Sequence, residues 1–153
     1  MAISKIGLLL LFFLAASASL GGAILVVDNV LWTYAPTHAY GLIGFTAIDL
    51  LLIILIFFTK KKGLLLAGLW GVVQLAILTG NLFFGAQIGV TNFKQEELRD
   101  YFLGIAVAQG ASPGFGFYKI SPYAYDVLLS MQALLAVTGL LAYRRAGHVP
   151  ATS

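Results

Sequence analysis

Hydrophobic residues in this chain fall into long unbroken runs, not the alternating or one-sided stripes of a water-facing domain. The first run, 6–27, carries no charge. The second, 40–58, is interrupted only by Asp49. The third, 64–90, is again uncharged, and the fourth, 123–143, has Asp126 in its first turn. A helix needs roughly 20 apolar residues to cross the hydrocarbon core of a bilayer, and all four runs are close to that length or beyond it. Helices are the form open to such segments, because each backbone polar group in lipid has to be paired within its own segment. The pattern predicts an all-α integral membrane four-helix bundle, with residues 1–153 as a single four-span domain.

Between the third and fourth runs lies the one long stretch of a different character, residues 91–121. Asn92 followed by Gln95 has capping-box spacing, and Leu98, Tyr101, Phe102, Ile105 and Ala108 recur on one helical face before Gly110. This predicts one outer amphipathic helix lying in the membrane interface. The glycine- and proline-rich remainder carries Phe115, Phe117 and Tyr118, which are too apolar for a free loop. They are candidates for docking against a partner subunit, or for folding back on the protein's own outer face.

Composition sharpens this picture. Only 10% of the residues are charged and mean hydropathy is +0.95, where a soluble domain carries about 25% charged residues. The net charge of +3 does not point to nucleic acid, because the basic residues stand at the ends of the apolar runs. Lys5, Lys60, Lys61, Lys62, Arg144 and Arg145 flank one set of ends without an acidic neighbour. Asp28, Lys94, Glu96, Glu97, Arg99, Asp100 and Lys119 are mixed on the other set. The positive-inside bias then orients the bundle with the N-terminus in and the C-terminus in, and it assigns the chain to the cell membrane as a multi-pass protein. Trp32, Tyr34 and Tyr40 on the opposite side, with Tyr118, Tyr123 and Tyr125, read as an aromatic belt at headgroup depth. Ala16-Ser17-Ala18 resembles a signal-peptide cleavage site, but the apolar run continues to Val27, so the first span is expected to be retained.

Each run places one polar residue near its middle: Ser17, Asp49, Gln74 and Gln132. Amides and hydroxyls in a span serve readily as links between helices. An aspartate at the bilayer centre costs about 2.5–3.5 kcal/mol on insertion scales, so it is expected to face the bundle and find partners there. Asp49 is therefore expected to hydrogen-bond Gln74 or Gln132. It acts either as a protonated structural link or as a group that carries a proton or binds a cation. Thr46 on the second run, with Thr79 and Asn81 on the third, are further candidates for pairing between helices. Ala18/Gly22 and Gly85/Gly89 have the small-xxx-small spacing of close helix contacts.

Other chemistry is sparse. The chain has no cysteine, which removes thiolate metal sites and thiol catalysis. His38 and His148 are predicted on opposite sides of the membrane, and no His/Asp/Glu cluster has metal-ligand spacing. No phosphate loop, dinucleotide fingerprint or nucleophile elbow is present. No catalytic residue, metal or cofactor is assigned. The expectation is a non-catalytic accessory subunit of a larger membrane complex, of respiratory or oxidase type. Its partners would be the lipid bilayer and other membrane subunits. The alternative is a small oligomeric ion or proton channel or transporter centred on Asp49.

Overall fold

The computed structural model describes residues 4–27, 31–32, 36–84 and 124–146, with the side chains of 81–84, 124 and 125 left aside. The predicted outer helix and the docking aromatics Phe115, Phe117 and Tyr118 lie outside these residues. The described part is all-helical and built from four long helices: α1, Lys5–Val27; α2, Pro36–Thr59; α3, Lys61–Phe84; and α4, Ala124–Ala146. All four are long and apolar enough to span a membrane, as a multi-pass membrane protein requires.

The helix limits follow local chemistry. Ser4 caps α1, its Oγ accepting from the Gly7 amide at 3.1 Å. α2 begins at Pro36, whose missing N–H costs nothing in a first turn. The break between the second and third apolar runs, marked by Lys60–Lys62, is a turn of one residue. Lys60 takes a left-handed φ of 47°. Its amide donates to Ile56 O at 3.0 Å, closing α2, and its carbonyl accepts from Leu64 N at 3.0 Å, opening α3.

The helices form an antiparallel ring in which each packs on its sequence neighbours and α1 closes against α4. The interface between α3 and α4 is the most extensive. Its closeness comes from missing side chains. A Cβ added at Gly71 would stand 2.7 Å from Ala136 N, and one at Gly139 would stand 2.6 Å from Gly68 N. The two backbones touch there, as small residues permit where lipid supplies no hydrophobic drive. α2 and α3 approach in the same way at Gly63, against the backbone of Ile56.

Leu10, Leu14, Leu52, Ile56, Leu64 and Leu135 form a shared apolar core, with Ile6 and Ala146 against it. This core fills the end of the bundle that carries Lys5, Lys60–Lys62, Arg144 and Arg145. Lys61 Nζ lies 5.0 Å from the ring centre of Tyr143 there. At the opposite end Trp32 donates its indole N–H to Leu25 O at 2.8 Å and meets Tyr40 edge-on at 5.9 Å. The outer faces of all four helices show large apolar side chains, among them Phe12, Ile54, Phe57, Val72 and Val137. Lipid is a solvent that tolerates such a surface.

Candidate functional site

The four mid-span polar residues meet inside the bundle. Counted from the basic end at about 1.5 Å per residue, Ser17, Asp49, Gln74 and Gln132 stand about 15–21 Å deep. All four are buried, Asp49 to 1% exposure and Gln132 to 0%. Each comes from a different helix, so one network ties α1, α2, α3 and α4 together at one level.

Asp49 is its centre. Oδ1 accepts two hydrogen bonds from α3, one from Gln74 Nε2 at 2.9 Å and one from Trp70 Nε1 at 2.7 Å. The Ser17 side chain of α1 also hydrogen-bonds the Asp49 carboxyl. Gln132 of α4 reaches the network through Ser17, donating from Nε2 to Oγ at 2.8 Å. Of the two glutamines expected as partners of Asp49, Gln74 binds it directly and Gln132 acts through Ser17.

Helical spacing explains the α2–α3 half. Phe45 and Asp49 are four residues apart on α2, and Trp70 and Gln74 four apart on α3, so each pair shares one face. The two faces meet in register. The Trp70 ring packs edge-on against Phe45, with centroids 5.4 Å apart at 86°, and its N–H then points at the carboxyl. Trp70 is the member of the site that sequence reasoning missed. Its one available signal was the four-residue spacing to Gln74.

Among the described residues, two enclosed oxygens have no hydrogen-bond partner, Gln132 Oε1 and Thr46 Oγ1. Thr46 lies one turn from Asp49 and packs against Gly21 of α1, where an added Cβ would stand 2.5 Å from its oxygen. It therefore faces α1 and makes no hydrogen bond to Thr79, one of the third-span residues with which it was expected to pair; the side chain of the other, Asn81, lies outside the described residues. Gly22, chosen for its spacing to Ala18, has open space where a Cβ would go. The close contact of α1 falls at Gly21 instead. Gly85 and Gly89 lie outside the described residues, as does His148.

Apolar layers enclose the network on both sides. Leu10, Leu14, Leu52 and Ile56 stand between it and the basic end, and Ile24, Leu78 and Leu128 stand beyond it toward the other end; all are buried. Among the described residues, no group of three or more His, Cys, Asp or Glu could hold a metal ion. No protein-family model matches this chain, and no curated protein or solved structure matches it.

Proposed function

We propose that this chain is a non-catalytic structural subunit of a larger membrane protein complex in the cell membrane, of respiratory or oxidase type. Both termini and the Lys60 turn would face the cytoplasm. The observation that carries the reading is the enclosure of Asp49. A carboxyl that passes ions or takes part in turnover needs a route to its substrate. Asp49 is held by side chains of two other helices, and the network around it is covered by leucine and isoleucine on both sides. That arrangement supports a polar clasp that fixes the depth and rotation of four helices. In this reading the exposed apolar faces meet lipid or neighbouring subunits. Residues 91–121, with Phe115, Phe117 and Tyr118, supply the docking surface on the opposite side of the membrane from the termini.

The test is purification of the tagged protein from its native membrane in mild detergent, with identification of what comes with it. A stoichiometric set of membrane subunits that bears redox groups is the expected result. A pure homo-oligomer would sink the subunit reading in favour of a channel or transporter centred on Asp49. Changing Phe115 and Phe117 to Ser should release the protein from the set while its helix content stays unchanged. Loss of helix content would assign those aromatics to the bundle's own core.

A further inference from the structure

The direction of the hydrogen bonds in the network carries information that their existence does not. Trp70 Nε1–H and Gln74 Nε2–H both point at Asp49 Oδ1. Gln132 Nε2–H points at Ser17 Oγ, and the Ser17 side chain bonds the carboxyl. With its oxygen receiving the Gln132 amide, Ser17 has its own hydrogen free to give to Asp49. Every donor in the chain is then aimed toward the carboxyl, which is the arrangement a carboxylate demands. The arrangement leaves an acceptor stranded at the far end, because Gln132 Oε1 is enclosed without a partner on a residue with no solvent exposure. A buried carbonyl without a donor is a defect that native structures rarely keep.

One added proton gives Oε1 a donor without moving a helix, and the unpartnered position at Gln132 passes from Oε1 to Nε2. A proton on the second carboxyl oxygen of Asp49 turns the acid into a donor to Ser17 Oγ. The Ser17 hydrogen is then displaced toward Gln132, and a half-turn of the Gln132 amide brings Oε1 round to accept it. Trp70 and Gln74 keep their bonds to Oδ1 throughout. An O–H bond forms at Asp49 as one breaks in the hydronium ion of the aqueous phase that gives up the proton, leaving water; no oxidation state changes. Serine suits the middle position because its hydroxyl both donates and accepts.

We propose that Asp49 is a proton-binding site inside the bundle, and that taking up the proton reverses the Ser17–Gln132 hydrogen-bond chain. The site has two settings of one heavy-atom framework, one for the carboxylate and one for the acid. A metal cation is disfavoured as the ligand, because the carboxyl is already ringed by N–H and O–H hydrogens. The charged groups on the helices packed around it are Lys5 on α1, Lys61 and Lys62 on α3, and Asp126, Arg144 and Arg145 on α4, all at helix ends. None shares its depth, so no charged side chain stands beside the carboxyl. The apolar layers on either side make this a site of equilibrium binding and not a conducting path. The proposal rests on the network's geometry and is independent of the subunit reading.

Trp70 supplies the readout. Its indole N–H bonds the very oxygen whose charge changes, and Trp32 is the only other tryptophan. The full-length protein with Trp32→Phe, in lipid nanodiscs, would be titrated with acid while Trp70 emission and the infrared difference spectrum are recorded. We expect one transition in emission. A carbonyl band of a protonated carboxyl should grow with it, together with a shift in a glutamine side-chain amide band. Asp49→Asn should abolish the emission transition and the carboxyl band, and Gln132→Met should remove the part of the amide shift that does not come from Gln74 while keeping the carboxyl band. Emission and infrared spectra that stay flat with pH over the range where the protein remains folded would overturn the proposal, and that result needs no variant to fold. A carboxyl band that titrates with the same amide change in Gln132→Met as in the parent protein would overturn the reversal. A response to sodium at fixed pH, with none to pH, would replace the proton with a cation.

Discussion

At Asp49, asparagine and leucine separate hydrogen bonding from charge. Asparagine retains an oxygen for Trp70 and Gln74 and an N–H for Ser17, so Asp49→Asn should change bundle stability by no more than about 1 kcal/mol, because intramembrane hydrogen bonds average roughly 0.6 kcal/mol. Leucine fills the same volume and accepts nothing. Asp49→Leu leaves Gln74 Nε2 buried without an acceptor, strands the Trp70 N–H, and removes the bond to Ser17. With each unsatisfied buried polar group costing about 1–3 kcal/mol, a loss on the order of 2 kcal/mol or more is expected. Reversible unfolding in mixed micelles, followed by circular dichroism, measures both variants. Equal stabilities would mean that the network does not hold the helices. The sequence exposed Ser17, Asp49, Gln74 and Gln132 as candidates because a polar residue is conspicuous in an apolar run, and counting from the ends gives its depth. Trp70 was not legible in that way. Tryptophan in a span reads as bulk or as an interface anchor, and its donor matters only once the register of α2 on α3 seats the ring on Phe45.

Among the helices, the contact between α3 and α4 is the one that missing side chains define. Gly139→Ala would drive a methyl into the Gly68 backbone, with the nitrogen 2.6 Å away. Backbone cannot swing aside as the end of a flexible side chain can. The helices would have to separate, at a cost of about 1–3 kcal/mol for overpacking. Gly22→Ala on α1 is the matched control, because a Cβ there meets nothing within 4 Å. It should be neutral or mildly stabilising, since Ala exceeds Gly in helix propensity by up to about 1 kcal/mol. Comparing the two variants in the same unfolding assay checks the packing: a Gly139→Ala protein as stable as Gly22→Ala would contradict it. The sequence could not rank these two positions. In a chain with 17 glycines the spacing recurs by chance, and which glycine meets a neighbour depends on how each helix is rotated. That rotation is set partly by the polar network, whose partners are on other helices. The tight turn was half legible. A run of lysines marks a break between spans, but nothing in three identical side chains shows that Lys60 alone takes the left-handed conformation.

At the scale of the whole molecule, four spans were legible because run length alone decides whether a helix can cross lipid; which side each end faces is not a property of the helices. The structure places Lys5, Lys60, Lys61, Lys62, Arg144 and Arg145 at one end of an antiparallel ring, and among the described residues the opposite end carries Asp126 as its one acidic side chain. Short flanking segments rich in Lys and Arg resist translocation, so that end should be cytoplasmic and residues 91–121 should lie outside. The chain has no cysteine, so Glu97→Cys and Lys61→Cys each introduce its only thiol. In intact cells a membrane-impermeant maleimide should label Glu97→Cys, whereas Lys61→Cys should react only after permeabilisation. Removing Lys61 leaves five basic residues at its end, so the substitution should not itself invert the protein. Labelling of Lys61→Cys alone in intact cells would reverse the orientation, and with it the placement of the docking segment. Labelling of both would show that the chain inserts in two orientations, and the charge bias between the two ends would then be too weak to set its topology.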